Sequence, residues 1–211
     1  MDAGLLPVKE LSDANQRLSA AFTNEQRLEI SRALVADALD LCEKTSFFRW
    51  LVVTSDSNVA QLAKSRGFEV VEDPGHGLNA ALDAGIKHAM DAGAKTATVL
   101  PVDVPLATSE DVRDLLDTGA ISDVALVPSH SDGGTNALYL SPANALQPRF
   151  GPMSLSAHVG DAERRGLRCS ILDLPRLALD VDTPDDAKGV VEKGGASQTV
   201  QVLRRLLREN A

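Results

Sequence analysis

Short apolar runs alternate with amphipathic segments along almost the whole chain. The runs that have the composition of buried strands are residues 5–8, 51–54, 68–71, 97–100, 124–128, 137–140 and 167–172. Segments with apolar residues at helical spacing lie between most of these runs. Strands that alternate with helices in this way predict an α/β fold, with a mainly parallel sheet and helices on both faces.

Capping signals mark the ends of the predicted helices. The first follows Thr23, with Gln26 three residues later as in a capping box. Gly67 and Gly93 end the second and third helices at their C-cap regions. The predicted helices after the first span residues 58–66, 78–91, 109–116, 156–165 and 185–192.

The strands at 124–128 and 137–140 break the alternation, because only a glycine-bearing loop separates them. A loop of this length is too short for the helical crossover that joins parallel strands. We therefore expect an antiparallel excursion here, near the edge of the sheet.

The end of the chain has its own pattern. Residues 1–192 are predicted to form one domain, and the glycines at 194 and 195 indicate a hinge within residues 193–197. Beyond it, Val200, Leu203 and Leu206 fall on one face of a terminal helix. That helix either packs on its own domain or forms the contact of a homodimer.

Charge and composition restrict the partners. The chain has 30 acidic and 21 basic residues, so its net charge of −9 disfavours nucleic acid. An anionic substrate would need a local cation or a metal ion. Cys42 and Cys169 form no metal-binding or disulfide pattern, which is typical of a reducing compartment. No secretory signal is evident and no apolar run approaches the ~20 residues of a membrane span, so we expect a soluble, cytoplasmic protein.

Ligands of open parallel sheets bind at the carboxyl ends of the strands. Lys9 directly follows the first strand, and Arg17 follows in the same loop. The third strand leads into the loop 72–79, which contains Gly75 and Gly77 and feeds the start of a helix. Backbone N–H groups there suit an anion or the edge of a base, although an ordinary strand-to-helix turn would have the same composition.

Acidic residues follow two other strands. Asp103 lies between Pro101 and Pro105, and it is not needed as a helix cap because Thr108 and Ser109 serve that purpose. Asp180 and Asp182 lie on the same side of an extended segment. Either Asp182 or Thr183 could cap the next helix, but capping does not explain Asp180. The three acids together make a plausible Mg²⁺ site.

Two further loops suit a small anion. One is 131–137, where two glycines precede Thr135, and the other is 149–154, where Gly151 and Ser154 precede a helix. Glycine lets a backbone approach an anion closely, and the hydroxyl of Ser154 is a donor. The alternatives are an ordinary hairpin turn for the first loop and an ordinary N-cap for Ser154.

Taken together, these segments resemble the guanylyltransferases of coenzyme F-420 biosynthesis. The matching pieces, in family order, are LPVK, EDPGHGLNAAL, LPVDVPL, GGTNAL, RFGPMSLSAH and LALDVDTPDD. The resemblance implies a Rossmann-like nucleotide-diphospho-sugar transferase fold. It also implies transfer of GMP from GTP to phosphoenolpyruvate, 2-phospho-L-lactate or 3-phospho-D-glycerate, with release of pyrophosphate. The product would pass to a downstream transferase.

The resemblance also assigns roles to residues. Asp103, Asp180 and Asp182 would bind Mg²⁺, and Lys9 with Asp103 would be catalytic. Thr135, Gly151 and Ser154 would hold the acceptor acid. The positions that would bind the nucleotide are Lys9, Arg17, Pro74, Gly75, Leu78 and Asn79.

The chain departs from the family pattern at two positions. Asn15 replaces a lysine of the first loop, which removes a phosphate contact, and Met153 replaces a glycine of the acceptor loop. The side chain of Met153 either points into the acceptor pocket, which we favour, or points outward and covers loop surface. The histidines form no ligand set, and we assign them no role.

Rival interpretations are a related transferase with another acceptor and a nucleotide-binding regulator without turnover. The other acceptor would be a sugar phosphate or molybdopterin. The first loop lacks the glycine-rich sequence typical of molybdopterin guanylyltransferases, and retention of all three acids favours an enzyme.

Overall fold

The fold is that of a computed structural model, which describes residues 1–13 and 15–210. The described residues form one sheet in the order β3-β2-β1-β4-β6-β5-β7. Its strands are β1 (Asp2–Val8), β2 (Arg49–Thr54), β3 (Glu69–Glu72), β4 (Thr96–Val99), β5 (Val124–Pro128), β6 (Thr135–Leu140) and β7 (Cys169–Ile171).

The α-helices connect these strands and form the C-terminal end. They are α1 (Asn24–Lys44), α2 (Ser57–Ser65), α3 (Leu78–Asp91), α4 (Ser109–Ala120), α5 (Ser154–Arg164), α6 (Pro175–Ala178), α7 (Pro184–Lys193) and α8 (Gln198–Glu209). Two short 3₁₀ helices, Leu11–Asp13 and Gln16–Ala20, lie between β1 and α1. The predicted elements are confirmed to within a few residues at each end, whereas the 3₁₀ helices and α6 were not predicted.

Capping explains where the main helices begin. Thr23, Thr108 and Thr183 each form a capping box, in which the hydroxyl accepts the N–H of the third helical residue. Thr183 therefore caps α7, and Asp182 is left for another role.

β6 is the one antiparallel strand of the described sheet, as the short loop before it predicts. Its position is a correction: it lies inside the sheet, between β4 and β5, with β5 and β7 on its outer side. Leu138 pairs with both Val99 and Leu126. Because β6 runs backwards, its first residue, Thr135, lies at the edge where the parallel strands end.

Helices cover both faces of the sheet. On one face α1, α2 and α4 pack on alternate strand residues such as Leu6 and Val52. On the other face α3 and α5 pack on the strand residues in between, such as Leu5 and Val53. Alternation of this kind is expected where both faces of a strand are buried.

The terminal helix packs on its own chain. Val200, Leu203 and Leu206 of α8 are buried in a third apolar cluster, together with residues of α1 and α7. Asp37 of α1 also accepts the N–H groups of Gln198 and Thr199, both at 2.8 Å. None of the helices in the described ranges is long and apolar enough to cross a membrane.

The sheet order fixes where a ligand can bind. The chain leaves β1 toward β2 on one side, and it later returns to β4 on the other side of β1. The crevice between the carboxyl ends of β1 and β4 is thus a topological switch point, where open α/β sheets bind ligands.

Candidate active site

Asp103 lies just beyond β4, and the backbone brings the other two acids beside it. The N–H of Val181 donates to the carbonyl oxygen of Asp103 at 2.9 Å. The segment 179–182 therefore crosses the end of β4. Leu179 and Val181 are buried, which leaves Asp180 and Asp182 together on the opposite, partly exposed side.

Electrostatics link the three carboxyl groups. Burial raises the pKa of Asp103 to about 7, and the negative charges of Asp180 and Asp182 add to this effect. Burial, followed by the charge of Asp180, also raises the pKa of Asp182. Carboxylates that raise one another's pKa are close enough to repel, and a cation among them would relieve that repulsion.

Two of the acids are bound by other side chains. The guanidinium Nη1 of Arg17 donates to Asp182 Oδ2 at 2.8 Å. Asp180 Oδ1 accepts from the amide of Asn136 at 3.1 Å and from the hydroxyl of Ser129 at 3.3 Å. Within the described ranges, no three acidic, histidine or cysteine side chains converge as a ready metal site.

A cavity of about 410 Å³ opens beside these residues, within the size range of small-ligand pockets. Lys9, Arg17, Asp103 and Asp182 supply its charged lining. Its apolar lining comes from α1, the first loop and the start of α3, and includes Leu34, Val35, Leu11 and Leu78. The cavity thus joins a wall that suits a flat base with charges that suit phosphates.

Asn15, the first departure from the family pattern, also lines this cavity. Its backbone is left-handed, with φ of 55°, and its side-chain amide donates to Ser31 on α1 at 2.8 Å. Asn15 therefore fixes the first loop to α1 and supplies no positive charge to a phosphate.

Only part of the loop 73–79 lies at the cavity. Leu78 lines the cavity, whereas Pro74 and Gly75 are exposed and lie outside its lining. The side chain of Asn79 bonds to the backbone of Phe150. Its Oδ1 accepts the N–H of Phe150 at 2.7 Å, and its Nδ2 donates to the carbonyl of Phe150 at 3.1 Å. Asn79 thus attaches α3 to the predicted acceptor loop.

The predicted acceptor residues meet at the start of β6. The N–H of Thr135 donates to the hydroxyl oxygen of Ser154 at 2.8 Å, and both residues are buried. Gly151 lies in the same loop as Ser154 and takes φ of 137°, which favours glycine. Ser154 is the first residue of α5 and is not its N-cap. The alternative explanation of this serine, as an ordinary cap, is therefore wrong.

Met153 is the N-cap residue of α5, and it adopts the left-handed conformation that glycine would take there, with φ of 58°. The residue is 62% exposed, and its sulfur lies beside Gly133 of the neighbouring loop. This exposure favours the alternative in which the side chain of Met153 covers loop surface.

Sequence reasoning missed three residues that organise the site. Asn136 and Ser129 hold Asp180, and His158 contacts both acceptor loops. A buried Asn in the strand β6 is the one signal available beforehand, since buried polar groups need partners. Nothing in the sequence says which partners these are.

A family model decides the wider assignment. Residues 3–209 match the family described as "Guanylyl transferase CofC like". The chain belongs to this family. It is therefore a nucleotidyltransferase, as the resemblance implied.

Named relatives agree with the family. The chain is 34% identical to a phosphoenolpyruvate guanylyltransferase of Conexibacter woesei, covering 98% of this chain and 96% of the relative. It is 33% identical to a 2-phospho-L-lactate guanylyltransferase of Methanothermobacter thermautotrophicus, covering 96% and 89%.

Solved structures support the fold. A Desulfovibrio desulfuricans protein, assigned as a nucleotide-diphospho-sugar transferase, superimposes with a TM-score of 0.81. The two chains are 20% identical, and the match covers 99% of this chain and 97% of the other. The predicted fold class is confirmed.

Proposed function

We propose that this protein transfers GMP from GTP to the phosphate group of a three-carbon phosphorylated acid and releases pyrophosphate. Phosphoenolpyruvate and 2-phospho-L-lactate are the first candidates, because relatives that match nearly the whole chain carry these names. 3-Phospho-D-glycerate is the third. The observation that carries the proposal is the placement of a charged cavity and a hydroxyl-bearing loop pair at one edge of the sheet.

The acceptor acid binds between the loops 131–135 and 151–154. The hydroxyl groups of Thr135 and Ser154 are donors that suit its carboxylate or phosphate. Gly151 leaves room for close approach of the anion to the backbone, since no atom lies within 4 Å of where its Cβ would be.

The reaction is an in-line displacement. A phosphate oxygen of the acceptor forms a bond to the α-phosphorus of GTP, and the bond from that phosphorus to the bridging β-phosphate oxygen breaks. Pyrophosphate leaves with the electron pair of that bond. The attacking phosphate is already ionised, so the step needs no general base, and positioning and charge neutralisation dominate catalysis.

Asp103, Asp180 and Asp182 are the residues that would hold Mg²⁺, because the charges of Asp180 and Asp182 act on Asp103, and Asp103 and Asp182 line the cavity. The three carboxylates would have to draw together around the ion. Bound there, Mg²⁺ would neutralise charge on the phosphates. Arg17, which donates to Asp182, would have to release this carboxylate. Lys9 and Arg17 line the cavity, where their positive charges would stabilise the pyrophosphate that leaves.

The guanine base lies against the apolar wall of the cavity near Leu78. The loop 73–79 offers main-chain groups to the base edge, and sites that bind one edge reject nucleotides lacking it. Gly75 itself has an N–H donating to Asp73 at 2.9 Å, so other backbone groups of this loop make the contact.

The pathway assignment follows from the family resemblance. The product, a GMP joined to an acid through a diphosphate, is an activated compound that a downstream transferase consumes. We place this step in coenzyme F-420 biosynthesis, in the cytoplasm.

The test is a screen of purified protein with Mg²⁺, each of the three acids, and GTP, ATP, CTP or UTP, read by mass spectrometry. We expect one GMP–acid conjugate to form much faster than the rest, at a rate at least about 100-fold higher with GTP than with ATP. Equal rates with ATP would refute the guanine assignment. Turnover of a sugar phosphate or molybdopterin instead of all three acids would refute the acceptor class.

A further inference from the structure

His158 lies on α5 beneath the predicted acceptor loops and is completely buried. Both of its ring nitrogens have partners. Nδ1 lies 3.0 Å from the hydroxyl oxygen Oγ1 of Thr135, and Nε2 lies 3.0 Å from the backbone nitrogen of Arg149. One imidazole therefore joins the start of β6 to the start of the loop 149–154.

The partner of Nε2 fixes where the ring carries its proton. A backbone N–H can only donate, so Nε2 must accept from Arg149 and carry no hydrogen. In a neutral imidazole the hydrogen then resides on Nδ1. Nδ1–H consequently donates to Thr135, and the hydroxyl oxygen of Thr135 is an acceptor in this contact.

The surroundings of the ring keep it neutral. Burial lowers the pKa of His158 to about 4, against a smaller opposite effect of Asp161, and the charge of Arg149 lowers it further. Asp161 is engaged by the side chains of Arg149 and Arg164. The ring of Phe150 packs edge-on against the imidazole, with centroids 5.5 Å apart.

This arrangement decides what the hydroxyl of Thr135 can offer. Because its oxygen accepts from His158, its own hydrogen is free to donate elsewhere. Within residues 1–13 and 15–210, no other side chain or carbonyl is hydrogen-bonded to that hydroxyl. With the opposite tautomer, Thr135 would donate to the ring and would have no hydrogen left for a ligand.

Ser154 is set in the same way. Its hydroxyl oxygen accepts the N–H of Thr135, and in the described ranges its hydrogen has no protein acceptor. The oxygens of these two adjacent hydroxyls thus each accept a hydrogen bond, and neither hydrogen has an acceptor within the described residues. Such a pair suits a carboxylate or phosphate, which can only accept.

We propose that His158 is a positioning residue that, through its Nδ1–H, holds the hydroxyl of Thr135 as a hydrogen-bond donor to the acceptor acid. It does not touch the reacting atoms. The inference rests on the proposed function for the identity of the ligand, but the hydrogen-bond directions rest on the fold alone. The Arg149 N–H excludes the opposite tautomer, and the tautomer that remains leaves Thr135 a donor.

The first test needs no substrate. The ¹⁵N chemical shifts of the His158 ring in the free, full-length protein report which nitrogen is protonated. We expect a protonated Nδ1 and an unprotonated Nε2 at neutral pH. A protonated Nε2, or a doubly protonated ring, would overturn the proposal whatever the enzyme turns over.

The second test is a double-mutant cycle between His158→Gln and Thr135→Val. Glutamine reaches the place of Nε2 and can still accept from Arg149, but it has no group at the place of Nδ1. We expect each single variant to raise the KM for the acid about fivefold to tenfold, with the KM for GTP unchanged. The double variant should be no worse than Thr135→Val alone, because both changes remove one interaction.

The control is His88→Gln, since His88 is exposed on α3 and pairs with Glu69. It should leave both KM values unchanged. Independent effects of His158→Gln and Thr135→Val, or equal rises in the KM for acid and GTP, would indicate a merely structural role and contradict the proposal. Thr135→Ser, which keeps the hydroxyl, should restore the KM for the acid. A wild-type protein with the expected tautomer but no turnover of any acid would refute the proposed function and leave the hydrogen-bond assignment standing.

Discussion

The side chains around Thr135 and those around Asp103 lie at the same edge of the sheet, but they are held in opposite ways. Around Thr135, buried groups bond to one another: Ser154, His158 and the amide of Asn79 fix both acceptor loops. Around Asp103, carboxylates repel, and an arginine that is 61% exposed holds Asp182. We call these regions the acceptor half and the nucleotide half.

The difference suggests how the site works. A small rigid acid gains little from a flexible pocket, so preformed donors reduce the ordering cost of binding it. In the proposed function the nucleotide would bring its own charge and a metal ion, and these would let the acids and Arg17 rearrange. The acceptor half is therefore preorganised, and the nucleotide half is completed by its ligands.

The largest expected effect comes from breaking the nucleotide half. Asp103→Asn removes a negative charge from the proposed Mg²⁺ site with little change in side-chain volume. We expect kcat to fall by about 100-fold or more, as for loss of roughly 3 kcal/mol of transition-state stabilisation. Pyrophosphate release measures it, with Asp185→Asn, an exposed change on α7, as the control. Near-normal activity in Asp103→Asn would exclude this residue as a ligand.

The two halves should also respond oppositely to pH. Asp103 has a raised pKa in the folded protein. Without a metal ion, its ionisation therefore lowers the free energy of unfolding increasingly as pH rises from about 4 through about 7. His158 has a lowered pKa, so its neutral form contributes stability above pH 6.5 that is lost as pH falls through about 4.

Urea unfolding at several pH values separates these contributions. Asp103→Asn should gain stability over the wild type as pH rises to 8, and His158→Gln should lose less stability than the wild type on acidification. Each difference is on the order of a few kcal/mol. Parallel pH profiles for all three proteins would contradict the contrast between the halves.

A smaller effect tests the acceptor half. Ser154→Ala removes one hydroxyl that would donate to the acid. We expect the KM for the acid to rise about tenfold while the KM for GTP stays unchanged. Steady-state kinetics with either substrate varied gives both values. Ser65→Ala, an exposed change on α2, is the matched control. Unchanged acceptor kinetics in Ser154→Ala would remove this loop from the acceptor site.

The smallest effect is expected for Met153→Gly. Because Met153 is largely exposed, the ratio of rates with phosphoenolpyruvate and 3-phospho-D-glycerate should change by less than about twofold. Glycine should instead relieve the left-handed backbone at this position and raise stability by up to about 1 kcal/mol. A large shift in the ratio would mean that Met153 contacts the acceptor after all.

The same contrast explains how far sequence reasoning reached. Asp103, Asp180 and Asp182 were found because acids between prolines, or on one side of an extended segment, have few structural reasons to be there. The periodicity of the apolar runs was enough for the strands and helices. Periodicity did not predict the position of β6 within the sheet, because a short loop specifies the direction of the next strand but not which strands pair with it.

The acceptor half was harder to predict because its residues act through tertiary contacts. His158 has no local signal, since its role depends on Thr135 and Arg149, which approach from other elements. Likewise, no local signal at Asn79 predicts that its side-chain amide bonds to the backbone of Phe150. The left-handed backbone of Met153 depends on where α5 begins, since Met153 is the residue just before its first residue, Ser154.

The most direct test of the central claim is ³¹P NMR of wild-type protein with GTP, Mg²⁺ and the acid that gives turnover. Transfer of GMP to the acid's phosphate predicts two mutually coupled signals from a new diphosphate linkage, together with pyrophosphate in equal amount. An unchanged signal from the acid's phosphate, with GTP converted to GDP and phosphate or to GMP, would show hydrolysis and contradict the account.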